Sequence, residues 1–92
     1  MAGTIQDFKF TTSGGAQSFT PNTDLVLIYP ETSLLTGNVS VSVASAPVLG
    51  DNVTCILTLV GLSLNGFTLD VFGLSYTQEM IDASNGDLFV LT

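Results

Sequence analysis

The stretch Asn38-Val39-Ser40-Val41-Ser42-Val43 decides the fold class. Valine alternates with small polar residues over six positions, which is the period of a strand with one covered face. β-Branched side chains are stiff at χ1 and pack well on a pleated surface, so the residue type agrees with the period. The same period recurs in Asp51–Val60, where Val53, Cys55, Leu57 and Leu59 face one way and Thr54, Ile56 and Thr58 the other. In Phe67–Val71, Phe67, Leu69 and Val71 oppose Thr68 and Asp70, and near the start Phe8 and Phe10 oppose Asp7 and Lys9. Leu25–Tyr29 and Leu88–Leu91 are apolar at every position, which predicts strands covered on two sides.

Turn chemistry separates these runs. Ser13-Gly14-Gly15-Ala16 predicts a hairpin between Ile5–Thr12 and Gln17–Thr20, and Gly50-Asp51-Asn52 a turn before the next long strand. Asn65-Gly66 suits a type I′ turn, whose two central residues both need positive φ. A hairpin closed there pairs Leu64 with Phe67, Leu62 with Leu69 and Val60 with Val71. That phase conflicts with the inward set Val53, Cys55, Leu57, Leu59, and a bulge at Gly61 or Gly73 would reconcile them. Ser75–Asn85 breaks the strand period. Ser75 reads as an N-cap, Gln78 as its capping-box partner, Asn85-Gly86 as a stop, and Tyr76 with Met80 as a narrow apolar stripe. The expectation is one all-β domain over residues 1–92: a compact antiparallel β-sandwich or jelly-roll-like domain with one short helix or helical turn near 75–85. Residues 1–23 read as an N-terminal arm or a first hairpin.

Composition narrows the function. The chain has 92 residues, eight carboxylates, one cationic side chain (Lys9) and no histidine, for a formal charge of −7. One cation cannot neutralise a row of phosphates or hold the chain on an anionic membrane, so no nucleic-acid or membrane partner is expected. The start carries no basic segment followed by an apolar core, so no signal peptide is read, and synthesis in a cytoplasm is expected. Cys55, the single cysteine, reads as a buried inert thiol. Asn38-Val39-Ser40 and Asn52-Val53-Thr54 match the glycosylation sequon, read as coincidence without a secretory signal.

Catalytic constellations are missing. Without histidine there is no imidazole to activate Cys55 or a serine. Asp70, Glu79, Asp82 and Asp87 lie close in sequence and read as solvated charges, and no glycine-rich phosphate loop occurs. Asp82–Asp87 lacks the alternating ligands of a calcium loop. No enzyme activity, cofactor or metal is expected. Tyr29 and Tyr76 are the ligand-contact candidates, each offering area and a polar tip.

Hydrophobic residues make up 46% of the chain and charged ones 10%, so the surface left after folding is poor in charge and prone to association. Burial between chains accounts for such a surface, and the strands apolar on both faces locate it: Leu25, Leu27, Phe89 and Leu91 join the two tyrosines as interface candidates. Leu35-Thr36-Gly37-Asn38-Val39-Ser40-Val41, Gly50-Asp51, Leu64-Asn65-Gly66-Phe67-Thr68-Leu69 and Gly73 resemble small β-domains of bacteriophage virion proteins, namely tail- and head-fibre modules and capsid decoration proteins. The resemblance spans residues 35–92 and consists of strand and turn patterns with no functional residue to carry over. It implies a homotrimeric structural protein in the virion, partnered by a major capsid or tail protein. The alternative class is a carbohydrate-binding adhesive module of a cell-surface protein, and a third is a small hydrolase using Asp70 or Asp82.

Overall fold

The structure is a computed structural model, and it describes residues 5–44, 52–83 and 86–91. Among the described residues, eight strands and one short helix follow in the order β1 (Gln6–Phe10), β2 (Gly15–Phe19), β3 (Leu25–Pro30), β4 (Val39–Val43), β5 (Val53–Leu57), β6 (Leu69–Val71), β7 (Leu74–Tyr76), α1 (Gln78–Ala83) and β8 (Asp87–Leu91). They form two four-stranded sheets, β1-β3-β5-β8 and β2-β4-β6-β7. A shared core of Phe10, Val26, Ile28, Cys55 and Leu57 from the first sheet and Phe19, Val39, Val41, Leu69 and Val71 from the second fills the space between them. The arrangement is sandwich-like and mostly β, with the one helix expected.

The pairing is largely parallel, which corrects the antiparallel, jelly-roll-like expectation. β1 with β3, β3 with β5, β2 with β4 and β4 with β6 are all parallel; only β5 with β8 and β6 with β7 are antiparallel. The reason is that consecutive strands alternate between sheets. The chain passes through three coils (6–19, 25–43 and 53–71), each giving one strand to each sheet, and then β7, α1 and β8 turn back over the last coil. Gln6 lies beside Val26, and Val26 beside Cys55, so a full coil separates paired strands. A parallel ladder requires such long returns. A narrow third seam tracks one corner: Leu34 bridges Ser63 in parallel, Thr36 donates from its N–H to the Thr12 carbonyl, and Leu35 to that of Ser63.

Both hairpins read from the sequence are therefore corners. Ser13–Ala16 carries the chain from the first sheet to the second, so residues 6–19 form the first coil. Gly14 and Gly37 touch there: a Cβ on Gly37 would lie 2.6 Å from the Ser13 carbonyl oxygen and 2.9 Å from the Gly14 Cα. At Asn65-Gly66 the turn itself forms as its chemistry requires, with φ of 53° and 83° and the Phe67 N–H donating to the Leu64 carbonyl at 2.9 Å. It leads β5 away from its own sheet, and β6 pairs with β4. Gly61 and Gly73 sit in turns and create no bulge in the β5 and β6 ladders. Gly73 with Phe72 (φ 84° and 53°) makes the real hairpin, joining β6 to β7. A ring at positive φ is strained, and Phe72 is held by contacts with Phe19 and Phe89.

The helix starts later than read. Ser75 lies in β7, and Thr77 is the cap, its Oγ1 accepting from the Met80 N–H at 3.2 Å. Gln78 does something other than complete a capping box. Its Oε1 accepts from the Leu64 N–H at 2.8 Å and its Nε2 donates to the Leu62 carbonyl at 2.9 Å, so it ties the helix to the third coil. The apolar contact of α1 is Ile81, buried, whereas Met80 is exposed. The expected turn at Gly50-Asp51 and the stop at Asn85 lie outside the described residues.

Candidate functional site

Alternation gives each sheet one face to the core and one to the outside. In the first sheet the paired positions Asp7, Leu27, Ile56 and Leu88 form one row across the outer face. Leu25, Thr54 and Val90 form the row on one side of it, and Lys9 with Tyr29 the row on the other. Leu88 is 66% exposed and Val90 51%. Leu25, Leu27, Tyr29 and Ile56 are half-buried. This corrects the expectation that β3 and β8 are covered on both sides: one face packs on the core and the other carries a continuous apolar strip. Asp7 and Lys9 bring charge to this face from the edge strand β1, and Glu31 follows β3 beside Tyr29.

The outer face of the second sheet is different in kind. Its rows are Ala16, Ser40, Asp70 and Ser75, then Ser18 and Ser42. These are small and, apart from Ala16, polar, and Ser75 donates to Asp70 Oδ1 at 2.6 Å. The molecule thus presents one apolar and one hydroxyl-rich face on opposite sides of its core.

The six sequence candidates divide between surfaces. Leu25, Leu27 and Tyr29 lie together on the apolar outer face. Phe89 points the other way, half-buried against the core, with its ring 5.2 Å from Phe72 and nearly perpendicular to it. Leu91 ends β8 opposite Val53. Tyr76 is buried, and its hydroxyl donates to Asp87 Oδ2 at 2.7 Å. It is therefore a core residue and offers no surface to a ligand.

Ile56, Leu88 and Val90 complete the strip, and sequence reasoning did not select them. In a strand apolar at every position the period marks two faces without saying which is inside. Asp87, in phase with Phe89, even suggests the wrong answer. Its carboxylate tolerates the inner side because Tyr76 donates to it.

The chemistry available is that of contact. Among the described residues no three His, Cys, Asp or Glu side chains gather to hold a metal ion. Cys55 is fully buried, and desolvation lifts its thiol from the ordinary 9.0 to about 11, so it stays protonated and unreactive at neutral pH. Asp70 and Asp82, the carboxylates with a conceivable catalytic role, accept hydrogen bonds from Ser75 and Gln78. Beside Tyr29 a shallow depression of about 330 Å³ is lined by Glu31, Thr32, Ser33, Thr58 and Val60. No helix among the described residues is long and apolar enough to cross a membrane. Comparison with protein-family models, curated proteins and solved structures finds no match to the chain in any of the three.

Proposed function

We propose that this chain is a non-enzymatic structural protein of a bacteriophage virion, a capsid decoration or fibre component that acts through contacts between copies and with a capsid or tail protein. The observation that carries the assembly part is the strip of Leu25, Leu27, Ile56, Leu88 and Val90 on the outer face of the first sheet. In a lone chain this apolar surface faces water, which burial between chains relieves. The virion setting rests on the resemblance of the strand and turn patterns, which also implies three copies. An acidic exterior then keeps assembled particles apart.

Mass measurement by light scattering across the micromolar range tests this. An oligomer is expected, and a strictly monomeric chain would overturn the assembly role. Genes for capsid, portal or tail proteins beside the coding gene are the expected setting, and a wholly metabolic neighbourhood would count against the virion assignment. The second reading, carbohydrate binding, is favoured by one feature, the hydroxyl-lined depression beside Tyr29. Saturable binding on a glycan array, lost in Tyr29→Ala, would put that reading first.

A further inference from the structure

The two ends of the sandwich differ. At one end the chain turns back through β7, α1 and β8. At the other, β1 and β2 are the first strands of their sheets, and among the described residues no strand pairs with their outer edges. Unpaired edge groups are a template for another strand. Successive residues of a strand turn their N–H and C=O groups to opposite edges. The Phe10 carbonyl accepts from the Glu31 N–H, toward β3, so Gln6, Phe8 and Phe10 serve that ladder while Asp7 and Lys9 face the open edge. In β2 the Gly15 N–H and the Phe19 carbonyl serve β4, which leaves Ala16 and Ser18 facing the open edge.

Charge and packing suit this end to a second copy of itself. The first coil, residues 6–19, holds one carboxylate, Asp7, and the chain's one cationic side chain, Lys9, so it is neutral. The other carboxylates of this chain of formal charge −7 all lie from Asp24 onward. Two copies therefore approach here without the repulsion they meet elsewhere. Glu31 reaches the first coil, where Thr11 Oγ1 donates to it at 3.0 Å. The side-chain amides at this end are already satisfied. Gln17 bonds the Thr11 N–H and carbonyl at 2.7 and 3.0 Å, and Gln6 the Asn22 N–H and the Thr20 carbonyl at 2.8 and 3.1 Å. Phe8 is half-buried, its ring stacked 4.8 Å from that of Phe19.

We infer that this open end pairs with a second copy of the chain, β1 antiparallel to β1 about a two-fold axis normal to the sheet and between the two Phe8 residues. The contact runs along strand edges, separate from the apolar strip, and adds to the assembly reading above. Its register follows from Gln6-Asp7-Phe8-Lys9-Phe10. Asp7 stands opposite Lys9 of the second copy, and Lys9 opposite its Asp7. These are the two residues whose backbone groups face the edge, so each couple closes both hydrogen bonds of an antiparallel ladder. Directly opposed residues share a face, so each couple is also an ion pair. The same axis sets β2 beside its own counterpart. A head-to-tail contact matches less well: it sets Asp7 and Lys9 of β1 beside Leu88 and Val90 of β8, and five-residue β2 against three-residue β7.

Leu88→Asp provides the background for the test, because it puts a charge on the strip and leaves the β1 edge unchanged. Sedimentation equilibrium of the full chain carrying Leu88→Asp should show a dimer that dissociates on dilution. Adding Lys9→Asp or Asp7→Lys sets like charges opposite one another, and each should weaken that dimer about tenfold. Both positions are exposed, so the fold is retained. An equimolar mixture of the two charge variants should recover association, because each Asp then meets a Lys. Amide exchange followed by NMR reads the edge itself: the Asp7 and Lys9 N–H groups should exchange fast in the dilute chain and slowly in the dimer. A dimer indifferent to both charge variants, a trimer, or Asp7 and Lys9 exchange unchanged by dilution would overturn the edge pair. A Leu88→Asp chain that stays monomeric would also overturn it and leave the assembly reading to the strip. A monomeric wild type would overturn both.

Discussion

Tyr76 ends β7 in one sheet and Asp87 begins β8 in the other, and the 2.7 Å hydrogen bond from the phenol to the carboxylate joins the two sheets at the end of the molecule where the chain reverses. Both residues belong to the capping segment that follows the third coil, with α1 between them. Tyr76→Phe keeps the ring in the core and removes the donor. The expected cost is about 1–2 kcal/mol, typical for a hydrogen bond to a charged group, read as a lower urea midpoint with an unchanged slope.

Stability should fall on the alkaline side. Burial, then the Asp87 hydrogen bond and its charge, hold the Tyr76 phenol well above its ordinary 10.0. Desolvation raises Cys55 from 9.0 to about 11. Both groups stay protonated longer in the folded chain than in the unfolded one. Their contribution is therefore complete below about pH 9 and is lost as pH rises through the folded values. Thermal melts should show a level midpoint below pH 9 and a decline above it. Cys55→Val, which removes the thiol and keeps an apolar side chain, should move the onset of that decline toward pH 10.

Gln78 secures the helix to the third coil through the Leu64 N–H and the Leu62 carbonyl. Gln78→Ala should cost about 1–2 kcal/mol, since two part-buried backbone groups lose a partner. Gln78→Glu should be no better. A carboxylate can still accept from Leu64, but it repels the Leu62 carbonyl and Asp82, whose Oδ1 now accepts from Gln78 at 3.0 Å. Denaturant titration of both variants checks the order.

The first two coils meet at Gly37 with no room for a side chain. Gly37→Ala places a methyl against backbone on the facing coil, and backbone cannot move aside as a flexible side chain can. A loss of about 2 kcal/mol is expected, within the usual range for overpacking, measured by chemical denaturation. Gly15→Ala is the contrast at the same corner: its positive φ of 109° strains alanine, yet its Cβ meets nothing within 4 Å.

Leu88→Asp should separate folding from association. Leu88 is 66% exposed and lies outside the core. The substitution should change the unfolding free energy by about 1 kcal/mol or less while sharply weakening self-association. Paired denaturation and light-scattering measurements read the two effects.

Which side chains share a face was written locally. Phe10, Val39, Val41, Val53, Cys55 and Leu57 are buried as the alternation requires, because strand geometry points every second residue the same way. Turn chemistry was equally local: Asn65-Gly66 adopts positive φ at both positions. The phase break at Gly61 is real as well, but it marks a corner where the chain changes sheets. A bulge and a corner shift the pattern alike, so period alone does not distinguish them.

Pairing and exposure belonged to the tertiary structure. Backbone hydrogen bonds are the same for every residue, so the alternation in Val39–Val43 does not say whether its neighbour is the next strand or one a full coil away. Coil stacking set β4 between β2 and β6 and made the ladders parallel. The low charge of the chain pointed to a surface poor in charge, and Leu25–Tyr29 to apolar residues that could lie on it. Only the folded sheet placed Ile56, Leu88 and Val90 beside Leu25 and Leu27. Where a strand is apolar on both sides, packing against the second sheet decides which side is left facing water.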